Sequence, residues 1–288
     1  MTHFLIKKSD EGTNSKFTTR MFLGVIELRN HLEMTNNDPR NIQINKDRFD
    51  QLYDPIRNSL EIALLSCRKL NSVCNRLIND GLEGKLITSH SGNSFELIDN
   101  QFPIIQKEFL SVVSNSSIAI KNHLQVLLKE VYSFDIGGLF TNDKDFNNKF
   151  INNLSNNGQS QIVDYFVFVR SWSNQLINEI WNESKHSNWN LEPTKFDTTY
   201  KPRVFVDLPL VKEVPINIYA YQILNRSCVL VEDMLVHGFN FYRNSPILFL
   251  EIDNKFRSDH QNRRFQPSPK LSGMVIPIPF FKDTIEII

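Results

Sequence analysis

Over 288 residues, Lys+Arg and Asp+Glu balance at 32 each, so no net basic charge advertises a nucleic-acid or acidic-membrane partner. A hydrophobic share of 41%, with 22 Phe, 7 Tyr and 3 Trp, supplies a sizeable core and excludes an intrinsically disordered chain. No apolar run reaches the roughly 18 residues of a membrane-spanning helix, and the opening MTHFLIKKSDEG has too short an apolar run for a signal peptide. These features, with only three Cys (Cys67, Cys74 and Cys228) and no dense cysteine spacing, predict a soluble cytoplasmic protein without a disulfide framework. No further His or Cys stands at ligand spacing, so no metal is expected. The phosphate-loop, dinucleotide, HExxH, CxxC and GxSxG patterns are absent, and no cofactor is expected either.

In chain order, residues 1–20 read as a tail or edge strand, and Met21 to Met34 has helical periodicity. Asp54-Pro55 supplies a cap and a first-turn proline, which predicts a helix over 55–79 with Ile56, Leu60, Ala63, Cys67, Leu70, Cys74 and Leu77 on its apolar stripe. Asn79-Asp80-Gly81 would stop it, and 80–100 reads as a connector with an extended piece at Lys85–Thr88. A second helix is predicted over 103–132, with Ile105, Phe109, Val112, Ile120, Leu124, Leu127 and Val131 facing the core. Gly137-Gly138 interrupts the pattern, and a shorter helix runs from Asp143 to Leu154. A third long helix spans 159–186. A fourth covers 216–237, stopped by His237-Gly238, with Tyr219, Gln222, Arg226 and Asp233 sharing one face. Strands are expected near 203–207, 247–252 and 274–281, where Pro277 and Pro279 confine the last to an edge. The sum is a mainly α protein: an antiparallel helical bundle over about 20–240 with a small β appendage in the C-terminal third, forming one domain over 1–288.

The third helix carries the strongest candidate site. At 100° per residue, Ile162, Tyr165, Phe166, Val169, Trp172, Leu176 and Ile180 share one arc. Arg170, Asn174, Asn178, Asn182 and Lys185 lie opposite, with His186 at the border. Docking on a core requires the first arc but gives no reason for the second. On its face alone, Lys185 and His186 in a last turn complement the negative end of the helix dipole. The polar file is expected to line a concavity against the fourth helix, with Arg226 or Asp233 facing it.

A helix ending in Asn182-x-x-Lys185-His186, followed by a Pro-containing stretch, a strand and another long helix, resembles the HEPN superfamily of helical bundles over roughly residues 47–240. That resemblance implies a prokaryotic defence or toxin–antitoxin setting. Catalytic members are metal-independent ribonucleases in which an Arg precedes the His by four to six residues. His serves there as acid or base, and Arg holds the scissile phosphate. In this chain Asn182 and His186 match, but Trp181 stands at the Arg position and cannot supply the cation. The expectation is therefore a non-catalytic HEPN-like binding protein. The alternatives kept open are a ribonuclease using His186 with Arg170 and Lys185, and a structural or oligomerisation module, including a homo-oligomer. A second candidate surface is the loop carrying Lys255, Arg257, Arg263 and Arg264 with Phe256 and Phe265 interleaved, a composition suited to phosphates and unstacked bases. Its partner would be nucleic acid; a protein partner is the other candidate for the chain as a whole.

Overall fold

The structure is a computed structural model and describes residues 46–91, 94–97, 101–132, 134–156, 163–185, 191–200, 202–243, 265–267 and 275–277. Helix α1 is Lys46–Leu82. A hairpin follows, β1 (Ile87–Ser91) antiparallel to β2 (Ser94–Leu97). Helix α2 spans 102–132 and is built from α-helical Phe102–Ser117, π-helical Ile118–Leu124 and α-helical Gln125–Tyr132. After a 3₁₀ turn at Gly137–Phe140, helix α3 covers 143–156 with a π-helical middle, Phe146–Ile151. Helix α4 covers 163–185 and turns π-helical over Gln175–Asn182. Two short hairpins, β3 (Lys195–Asp197) with β4 (Phe205–Asp207) and β5 (Leu210–Val211) with β6 (Val214–Pro215), lead into α5 (Ile216–Arg243). The last described pair is β7 (Phe265–Pro267) against β8 (Val275–Pro277). The protein is thus mainly α with small antiparallel β elements, most of them in the C-terminal third.

Side-chain pairs fix the directions of the helices. Ser66 and Ser111 share a hydrogen bond at 2.8 Å, and Lys69 reaches the buried Glu108 carboxylate at 2.6 Å, so α1 and α2 run antiparallel. Asn217 donates to Asn71 at 3.1 Å, and Tyr221, one turn further along α5, lies by Arg68, one turn back along α1, so α5 is antiparallel to α1 as well. Helices α2 and α5 therefore run parallel to each other, and the Phe109 and Tyr219 rings meet at 6.3 Å between them. Buried apolar side chains from all five helices form one connected cluster, including Ile56, Leu60, Leu70, Ile105, Ile120, Phe166 and Val231. Cys67 and Cys74 sit in it as free thiols on one face of α1; burial raises both thiols, Cys74 to about 12.

Three boundaries differ from expectation. Asp54-Pro55 does not start α1, which already runs from Lys46 with Pro55 inside it. An interior proline costs about 3 kcal/mol, but the turns before it bury Phe49 and Tyr53, stacked at 6.0 Å. At about 1.5–3 kcal/mol per buried side chain those two rings outweigh the proline, and Arg48 adds a two-pronged bond to Glu130 at 2.6 and 3.1 Å. His237-Gly238 does not stop α5, which continues to Arg243. Residues 80–100 hold a full hairpin where only one extended piece at Lys85–Thr88 was expected, so β structure is not confined to the C-terminal third. The Met21–Met34 helix and the 247–252 strand lie outside the described residues, as does the Asp233 side chain.

Gly81 joins the bundle to the β elements. Its carbonyl accepts from Val204 N at 2.9 Å, and a Cβ there would meet Val204 O at 2.5 Å and Val206 Cγ2 at 2.8 Å. The clash is with backbone, which cannot swing aside. Gly81→Ala is expected to destabilise the fold by about 1–3 kcal/mol, read as a lowered midpoint in urea.

Candidate functional site

Helix α4 is buried along two faces, which the periodicity of a single apolar stripe does not anticipate. Its first face docks Tyr165, Val169, Trp172 and Leu176 as expected. The second runs from Phe166, at the edge of the expected arc, to Arg170 and is roofed by the segment 134–150. Phe166 meets Phe134 at 5.9 Å and Phe150 edge-on at 5.1 Å.

Arg170 departs from the polar file that was expected to line a concavity against the fourth helix. Its guanidinium is buried, donating from Nη1 to Leu139 O at 2.7 Å, and from Nη2 to Thr141 O at 2.7 Å and Asp143 Oδ1 at 2.8 Å. The Phe146 ring lies 4.4 Å below it. Arg170 thus ties the 3₁₀ turn and the start of α3 to α4, and its charge is committed to internal acceptors, away from Lys185.

Asparagines continue the file beyond it. Asn178 Nδ2 donates to Asn174 Oδ1, and Asn182 Nδ2 to Asn178 Oδ1 at 3.1 Å, a ladder of half-buried amides along the π-helical stretch. Each amide satisfies the next, which leaves the Asn182 oxygen at the C-terminal end of the ladder. π-Helical stretches often mark functional positions.

Two such stretches meet at Trp181. The indole is 7% exposed, and two ammonium groups from different helices approach it: Lys185, one turn on in α4, with Nζ 3.4 Å from the ring centroid, and Lys121, from the π-helical part of α2, at 5.7 Å. Together the two distances place the ammonium nitrogens within about 9 Å of each other. The attraction of each cation to the ring is worth about 0.5–1 kcal/mol where solvent is present. Neither lysine forms an ion pair among the described residues, so both charges remain available while the ring holds them in place. Trp181 thus draws cations to the position where the resemblance expects an Arg. Its part was missed in the sequence, although the four-residue spacing of Trp181 and Lys185 was visible there; Lys121, 60 positions away, carried no such signal.

On α5, Arg226 is half-buried and its Nε is fully buried without a hydrogen-bond partner among the described residues. Its charge, with that of Glu179 on α4, acts on the buried phenol of Tyr219, which burial moves above its ordinary pKa. Glu179 also pairs with Lys212 at 2.8 Å. Arg226 and Glu179, from the π-helical part of α4, thus both act on the Tyr219 phenol. His186, Lys255, Arg257, Arg263 and Arg264 lie outside the described residues. Among the described residues no group of three His, Cys, Asp or Glu could hold a metal ion, and no helix is long and apolar enough to cross a membrane.

His123, two positions after Lys121, has its pKa lowered by burial. A histidine that resists protonation in the fold but accepts it when unfolded adds nothing above its unfolded pKa of about 6.5, and costs stability as pH falls below it. His123→Gln is expected to lessen the loss of stability on acidification from pH 7 toward 5, measured by urea titrations at each pH.

Compared with known proteins, the chain matches no family model, no curated protein and no solved structure.

Proposed function

We propose that the chain is a non-catalytic, HEPN-like cytoplasmic binding protein that engages the phosphates of single-stranded RNA at the C-terminal end of α4, in a prokaryotic defence or toxin–antitoxin setting. One observation carries the proposal: Lys121 and Lys185, from separate helices, converge on Trp181 with no carboxylate paired to either among the described residues. Two ammonium groups this close can contact one phosphate or two neighbouring ones, and phosphate contacts supply most of the affinity in sequence-independent binding. Beside them, the Asn182 amide at the end of its ladder offers the kind of hydrogen-bonding group that reads a base edge. The buried, free thiols of Cys67, Cys74 and Cys228 accord with a reducing compartment.

Two features support the reading without cleavage. Arg170 is consumed by Leu139, Thr141 and Asp143, and the position before Asn182 is a tryptophan, so no arginine remains on α4 to grip a scissile phosphate. The test is fluorescence anisotropy with a labelled single-stranded RNA, followed by electrophoresis of the same RNA. Binding that weakens at least tenfold in Lys121→Gln/Lys185→Gln, with the RNA recovered intact, is the expected result. RNA degraded by the native protein but not by His186→Ala would replace this function with a ribonuclease. No binding at low salt would leave the structural or oligomerisation module.

A further inference from the structure

Three asparagines on α4 hold one another in a single sense. Asn178 Nδ2 donates to Asn174 Oδ1, and Asn182 Nδ2 donates to Asn178 Oδ1 at 3.1 Å. Asn178 and Asn182 therefore turn their nitrogens toward the start of the helix, which leaves the last oxygen at its end. Reversing Asn182 alone would set its oxygen against Asn178 Oδ1, so the amides turn together or not at all. Lys185, three positions on, carries its ammonium charge at the end where that last oxygen stands, which favours this sense over its reverse.

Asn182 Oδ1 is thus an oriented acceptor. No donor among the described residues reaches it, and it is not one of the fully buried, unpartnered atoms of the core. Asn182 is half-buried and directly follows Trp181, whose ring gathers Lys121 and Lys185. Ammonium groups suited to phosphate and an acceptor suited to a base donor share one helix end.

We infer, on the footing of RNA binding at Lys121 and Lys185, that Asn182 sets the base preference of that site. Its oxygen accepts from the exocyclic amino group of cytosine, adenine or guanine and disfavours uracil. Uracil has no such group, and its one edge donor, N3–H, sits between two carbonyl oxygens that meet the Asn182 oxygen acceptor against acceptor. Single-stranded RNA is read through base edges of this kind, and a placed hydrogen-bonding group rejects a base that cannot match it. Asn178 is the positioning residue, since its oxygen holds the Asn182 nitrogen back and keeps the Asn182 oxygen at the end of the ladder.

Anisotropy titrations of the full chain with labelled oligocytidine and oligouridine of equal length, near neutral pH and at fixed salt, test this role. The native protein should bind oligocytidine about fivefold more tightly, the worth of one hydrogen bond. Asn182→Ala should bring the two affinities together while keeping the native salt dependence. Asn178→Leu should do the same, because the Asn182 amide is then free to turn. Asn178→Asp, which keeps an oxygen for Asn182 Nδ2, should retain the preference; a ladder that only supports the fold would not separate Asp from Leu in this readout. Lys121→Gln/Lys185→Gln should weaken both oligonucleotides and keep their ratio. Equal affinity of the native protein for the two, a preference for oligouridine, or a preference that survives Asn182→Ala would overturn the role of Asn182 and leave the lysine site standing. Failure of the native protein to bind either would overturn both.

Discussion

Arg170→Ala should cost about 2–4 kcal/mol of stability while leaving RNA affinity unchanged at temperatures where the variant is folded. The magnitude follows from what the guanidinium leaves behind. Leu139 O and Thr141 O each lose a donor at 2.7 Å, and an orphaned buried carbonyl costs about 1–3 kcal/mol. Asp143 adds little, because its side chain is 90% exposed and water replaces the lost partner. Arg170→Lys should recover less than half of the loss, since one ammonium cannot reach two carbonyls and a carboxylate as the planar fork does. Urea denaturation of the three proteins checks the order. A stability unchanged in Arg170→Ala, together with weakened RNA binding, would return Arg170 to the functional surface.

Phe166→Ala should be costlier still, about 3–5 kcal/mol and about 10 °C in melting temperature by calorimetry. Phe166 is fully buried, and its ring meets those of Phe134, Phe150 and Tyr165 at 5.9, 5.1 and 5.8 Å. It is the point at which α4, α3 and the turn after α2 share one contact, so a cavity there loosens three elements at once. Phe166→Leu, which keeps most of the volume, should lose well under half as much. Equal effects of the two substitutions would mean that the roof over the second face of α4 is not held by this ring.

The long helices were legible because their apolar residues recur at three and four: Ile56 to Leu77 on α1 and Ile105 to Val131 on α2 are buried as that spacing requires. Their ends were less so. Asp54-Pro55 and His237-Gly238 have the chemistry of a start and a stop, yet tertiary burial around Phe49 and Tyr53 carries α1 through its proline. Periodicity on α4 found Trp172 and Leu176 but put Arg170 on the polar file and gave Trp181 no place on the buried face. A helical wheel assumes one buried face and a constant 100° step, and α4 has two buried faces and a π-helical stretch from Gln175 to Asn182. Lys185 and Asn182 were found from their place at a helix end. Lys121 was not, because only packing brings α2 to Trp181.

The salt dependence of RNA binding tests the central claim most directly. Each phosphate neutralised on a single strand contributes about 0.7 to the slope of log affinity against log salt. With Lys121 and Lys185 each contacting one phosphate, Lys121→Gln/Lys185→Gln should shallow that slope by about 1.4. Trp181→Phe, keeping a weaker cation-holding ring, should lower affinity without changing the slope. A slope identical in the native protein and the double lysine variant would contradict the claim that these two charges meet phosphate.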